Sequence, residues 1–198
     1  MKKDAGQAGM TDSVITVFCC RSNSGIGLSK ILERFSQLKI AVLGIGNILL
    51  SDEGIGVRVV EAIKDRYELP ESVEIIDGGT MGLDLLPFIE GKDKVLIIDA
   101  VNIEKPPGTM VTIEGDEIPK FLSMKMSVHQ IGLPDMLSAA KLMGIMPEEI
   151  YLIGIQPKNL GTGLLLSDDV GDNLDSLVQT AMNKLEEWGI MAKEKKPV

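Results

Sequence analysis

Apolar positions along the chain fall into two alternating patterns. Short, largely apolar runs at Ile40 to Leu43, Val73 to Ile76, Val95 to Ile98 and Tyr151 to Ile155 carry the signature of strands covered on both faces. Between them lie segments whose apolar residues repeat at helical spacing. Gly56, Val59, Val60, Ile63 and Tyr67 form one stripe, which Leu69-Pro70 closes. Leu83, Leu86 and Ile89 predict a short helix ended by Gly91, and Leu133, Met136, Leu137 and Ala140 predict the buried face of another, stopped by Gly144. The longest stripe runs through Val170, Leu174, Leu177, Val178, Ala181, Leu185 and Trp188 to Gly189. Thr109 to Ile113 follows Pro106-Pro107-Gly108 and alternates weakly, as an edge strand does. Strands alternating with helices predict a three-layer α/β/α fold, a twisted and mostly parallel sheet of about five strands with helices on both faces.

Regular patterning begins at Lys39, so residues 39–192 are expected to form a single α/β domain, with an extension over 1–38 before it and a polar tail over 193–198 after it. The apolar run of the extension, Val14 to Cys20, is too short to span a bilayer. Asp4 and Asp12 interrupt the basic start that a signal peptide requires. Gly25-Ile-Gly-Leu-Ser-Lys30 lacks the spacing of a phosphate-binding loop, and no function is assigned to the extension.

Composition narrows the partners. The 198 residues are 44% hydrophobic but only 4% aromatic, enough for one core built from aliphatic side chains and methionine. Twenty basic against 29 acidic residues leave a formal charge of −9, which argues against nucleic acid and against an anionic membrane surface. The adjacent Cys19 and Cys20 form no disulfide framework, as expected of a reducing compartment such as the cytoplasm.

Candidate chemistry gathers after the apolar runs. Gly44-Ile-Gly46 opens like a dinucleotide-binding turn, but Leu49 stands where the third glycine belongs, and Asp52 and Glu53 occupy the helix mouth where an anion would sit. Ser51, Asp52 and Glu53 either cap that helix or face a cation. Ligands of open α/β sheets bind beyond the carboxyl ends of the strands, which singles out Glu53, Asp77 and Asp99. His129 is the only histidine, so any imidazole chemistry uses it. Ser127-Val-His-Gln130 matches a capping box that places His129 in a first helical turn, where neutral imidazole is favoured; alternatively the helix restarts at Pro134 and leaves His129 on a loop. Two carboxylates and one imidazole suit nickel, zinc or manganese better than calcium and leave coordination positions open. Asp77-Gly-Gly-Thr80 either admits an extended backbone beside its paired glycines or is an ordinary strand-to-helix turn. Met124, Met126, Met136, Met143 and Met146 suit a docking surface or, more commonly, core filling.

Taken in order, Gly44-Ile-Gly-Asn-Ile-Leu-Leu-Ser-Asp-Glu53, Asp77-Gly-Gly-Thr80, Ile98-Asp-Ala100, Ser127-Val-His-Gln130 and Gly154-Ile-Gln-Pro157 closely resemble the hydrogenase maturation endopeptidases, over about Lys39 to Gly189. The resemblance implies an enzyme that removes the C-terminal extension of a nickel-iron hydrogenase large-subunit precursor after nickel insertion. Its metal-contacting and catalytic residues would be Glu53, Asp99 and His129, with the nickel carried by the substrate, no nucleotide cofactor, and Asp77, Gly78, Gly79 and Thr80 against the substrate chain. Two other readings use the same residues: a nickel-binding maturation chaperone without peptidase activity, and a degenerate dinucleotide-binding oxidoreductase with Asp77 on the ribose.

Overall fold

The computed structural model describes residues 38–115, 117–118, 120–121 and 132–195. In chain order the elements are β1 (Ile40–Ile45), α1 (Ile55–Arg66), β2 (Tyr67–Glu68), β3 (Val73–Gly79), α2 (Leu86–Ile89), β4 (Lys94–Ala100), β5 (Met110–Glu114), α3 (Leu133–Met143), β6 (Glu149–Ile155), α4 (Asp168–Gly171), α5 (Leu174–Glu187) and β7 (Lys193–Glu194). Tight single turns at Ser51–Gly54 and Gly82–Leu85 lead into α1 and α2.

Among the described residues the main sheet has the order β3-β1-β4-β6-β5. Strands β3, β1, β4 and β6 run parallel, and β5 lies antiparallel on the edge. The unbroken apolar runs have a simple cause: alternate residues bury into two different cores. Ile40, Val42, Leu96 and Ile98 face one side, packed against Val59, Val60 and Ile63 of α1 and Leu177, Val178, Ala181 and Leu185 of α5. Ala41, Leu43, Val95 and Ile97 face the other, packed against Leu85, Ile89 and the Leu133, Met136, Leu137 and Ala140 face of α3. The chain therefore has the expected three layers.

Several boundaries differ from the pattern. Tyr67 leaves the α1 stripe, because β2 turns away to pair with β7, so the polar segment from 193 begins as one strand of a small antiparallel ribbon. The long final stripe is two helices: Gly171-Asp-Asn173, all weak helix formers, separates Val170 in α4 from Leu174 in α5. Leu85, rather than the exposed Leu83, joins Ile89 in the core. Helix α3 begins beside Pro134, which sits in its first turn where its missing N–H costs nothing, and Gly144 closes the helix in a left-handed conformation.

The connection from β1 leads to β3 on one side, and the connection from β4 leads toward β6 on the other. Successive crossovers that part in this way open a crevice at the carboxyl ends of β1 and β4.

Candidate active site

The chain leaving β1 re-enters that crevice because four glycines permit backbone contacts that a side chain would block. A Cβ on Gly46, whose φ is +127°, would lie 1.7 Å from the Glu53 carbonyl oxygen. One on Gly56 would lie 2.2 Å from the Ile98 oxygen and 2.3 Å from that of Ile45, so the start of α1 sits directly on β1 and β4. Gly44 and Gly54 are similarly crowded, against Gly56 and Ile48. The close approach that a dinucleotide fingerprint reserves for pyrophosphate is thus made to Glu53 of the same chain.

Glu53 and Asp99 meet in one cavity. It is lined by Ile45, Gly46, Glu53, Gly79, Thr80, Gly82, Leu85, Asp99, Gly132 and Leu133, and encloses about 440 Å³ continuous with solvent. That space suits an ion and a chain end, not a folded partner. Asp99, at the tip of β4, is 4% exposed, and Glu53 is 8% exposed. Burial pushes the Asp99 carboxyl up to about 8; a hydrogen bond from the Ala100 backbone opposes the rise, and the nearby Glu53 charge adds to it. Two carboxylates facing a shared cavity form an acceptor-rich site that a cation would relieve.

The neighbouring Asp52 has a different task. Its carboxylate accepts from the backbone N–H groups of Lys158 (2.9 Å), Asn159 (2.8 Å) and Ser167 (2.7 Å) and from the Ser167 hydroxyl (2.8 Å). Burial alone would raise its pKa, but these hydrogen bonds outweigh that cost and hold it below the usual carboxylate range. Neither the tight turn nor α1 is capped by a side chain, so the capping alternative for Ser51, Asp52 and Glu53 is not what the structure adopts. Ser51 takes a φ of +49° and donates its N–H to the Gly163 carbonyl, which aligns the two loops. Sequence reasoning missed this brace, whose partners lie 106 to 115 residues apart and leave no local trace.

The Asp77-Gly-Gly-Thr80 segment divides its work. Gly79 and Thr80 line the cavity. Asp77 instead turns back to accept the Gly79 N–H at 3.0 Å, and buried Gly78 packs against Leu85 and the Gly44 carbonyl. Of Gly154-Ile-Gln-Pro157, Gln156 orders the loop after β4, its side-chain oxygen accepting the Ile103 N–H at 2.7 Å. Met136 is core, Met143 and Met146 are exposed, and Met124 and Met126 fall outside the described residues. So do His129 and the whole Ser127 to Gln130 motif. Gly132 and Leu133, which follow that segment, line the cavity.

A family model described as hydrogenase maturation protease matches residues 57–184. The chain belongs to the hydrogenase maturation protease family. It is 47% identical over 154 residues to the hydrogenase expression/formation protein HupD of Rhizobium leguminosarum bv. viciae, covering 77% of this chain and 76% of that protein. With the hydrogenase 2 maturation protease of Escherichia coli (strain K12) it shares 42% identity over 156 residues, 78% of this chain and 95% of the relative. The solved structure of the hydrogenase maturating endopeptidase HybD from E. coli superposes with a TM-score of 0.76 at 40% identity, over 80% of this chain and 98% of that one. Family membership accounts for the fold and for the re-entrant loop that brings Glu53 beside Asp99. No described helix of this maturation protease is long and apolar enough to cross a membrane.

Proposed function

We propose that the protein is an endopeptidase that removes the C-terminal extension of a nickel-iron hydrogenase large-subunit precursor once nickel has been inserted, and that it reads the substrate-borne metal through Glu53, Asp99 and His129. The observation that carries this reading is the pairing of Glu53 and Asp99, two buried carboxylates of distant sequence origin, in one solvent-connected cavity at the crevice of the sheet. Metal on the substrate supplies the missing positive charge, and His129, the single imidazole of the chain, adds a nitrogen donor. A metal ion there acts as a Lewis acid toward the scissile carbonyl or an attacking water. Gly79 and Thr80 give the departing peptide a surface without bulky side chains to bar its backbone. The reaction takes place in the cytoplasm, in keeping with the unpaired cysteine usage.

A chaperone that only checks nickel would use the same donors, and product mass separates the two. Incubation with nickel-containing and nickel-free precursor, followed by mass spectrometry, is expected to show a shortened C-terminus for the nickel form alone. Intact nickel-loaded precursor after prolonged incubation would overturn the peptidase reading. The nucleotide alternative is disfavoured by the backbone of Glu53, which fills the approach to Gly46.

A further inference from the structure

The loop that carries Glu53 continues outward from the cavity and is joined to a second loop. Gly163 receives the Ser51 N–H at 2.9 Å and donates its own to the Leu49 carbonyl at 2.9 Å. The Asp52 carboxylate holds the ends of the second loop through Lys158, Asn159 and Ser167, and an Arg58 guanidinium nitrogen donates to the Leu164 carbonyl. Neither 47–51 nor 160–167 contains a charged residue, in a chain where 25% of residues are charged. On these joined loops Ile48 is 43% exposed, Leu49 56%, Leu164 62% and Leu165 83%. A single exposed leucine is ordinary. Four large aliphatic side chains on two hydrogen-bonded loops, uncharged throughout and braced by a buried carboxylate, make a fixed apolar ridge.

We infer that this ridge is the docking surface for the body of the protein substrate, receiving an uncharged aliphatic patch of the precursor beside the C-terminal segment that enters the cavity. The inference rests on the proposed function and adds a recognition element to it. Continuity selects the occupant: Gly46 and Glu53 line the cavity, and Ile48 and Leu49 lie between them on the same loop. A folded protein whose chain end reaches Glu53 brings its own surface against that loop. The depletion of charge matches the centre of protein interfaces, and the bracing removes most of the ordering cost of binding.

The test uses full-length protein and nickel-loaded precursor, with two paired variants, Leu164→Ser with Leu165→Ser and Ile48→Ser with Leu49→Ser, and Leu142→Ser as a control on the 90% exposed position of α3. Either pair should raise KM for the precursor by about tenfold or more while kcat falls less than about threefold, with the control unchanged. KM within about twofold of the parent for both pairs overturns the inference. If a paired variant dissociates a dimer of the parent protein and leaves KM unchanged, a second copy occupies the ridge and the inference fails. The Kd of intact precursor for the Glu53→Gln protein, with and without each pair, separates docking from cutting. Should the parent bind the precursor and leave it whole, the peptidase reading falls. The ridge is then decided by that Kd alone: about tenfold weaker binding upholds it and unchanged binding overturns it.

Discussion

At the amino ends of β4 and β6, Glu149 lies between two lysines; at the carboxyl end of β4, Asp99 shares its surroundings with another acid. Glu149 accepts from Lys94 at 2.5 Å and from the Trp188 indole at 2.7 Å, and Lys184 stands 3.5 Å away. Lys184 in turn pairs with Glu114 and Glu187 and lies 4.3 Å from the centre of the Tyr151 ring. Burial pushes the Glu149 pKa up, but the bonds and charges of Lys94, Trp188 and Lys184 outweigh it and bring the carboxyl below its usual range. Burial pushes Asp99 up to about 8, with the Glu53 charge adding to the rise. The same sheet therefore holds one carboxylate whose counter-charges come from its own chain and another whose counter-charge is left for a ligand to bring. The first arrangement serves stability. The second is what a site for a substrate-borne cation requires, and it is retained at a cost to the fold.

The sharpest way to break this contrast is to neutralise the acidic end. Glu53→Gln and Asp99→Asn should each lower precursor processing by about 10³-fold, followed by mass spectrometry of the product. Chemical unfolding of Asp99→Asn should show an unchanged or raised midpoint, because the substitution removes a buried acid whose charge the fold disfavours. Processing at the parental rate by both variants would show that the two ends do not differ in purpose.

The next effect tests whether close backbone packing creates the acidic end. Gly56→Ala places a methyl against two carbonyl oxygens at 2.2 and 2.3 Å, neither of which can rotate away. It should cost about 3 kcal/mol in urea unfolding and impair processing as well. At the opposite end, Lys184→Met should cost about 1–2 kcal/mol, because Glu149 loses a partner while Glu114 and Glu187 are relieved by solvent, and the rate of processing at 25 °C should be unaffected. A loss of activity larger than the loss of folded protein would couple the two ends.

The smallest effect is the acid limb of stability. Glu149 has a lowered pKa in the fold, so its contribution is present above the unfolded value and disappears as pH falls through the folded one. Glu149→Gln should flatten the fall of the unfolding midpoint between about pH 5 and pH 3, by less than about 1 kcal/mol after solvent screening. A parallel profile in parent and variant would remove Glu149 from the account.

Much of this protein was written in its one-dimensional pattern. Strands buried on both faces must be apolar at nearly every position, so β1, β4 and β6 declare themselves, and the carboxylates that end β4 and follow β1 stand out against them. His129 stands out by being alone. Local composition could not separate Asp52 from Glu53: two neighbouring acids carry the same signal, and only the arrival of residues 158–167 turns one into a brace and leaves the other facing the cavity. Nor could periodicity see the ends of α1 and the break before α5, which depend on the pairing of β2 with β7 and on weak helix formers in an otherwise continuous stripe. Sequence alone determined the layers, because burial of a whole face imposes a repeat that can be read residue by residue. The tertiary structure decided which acid acts and which one braces, because hydrogen bonds between segments more than a hundred residues apart have no period to betray them.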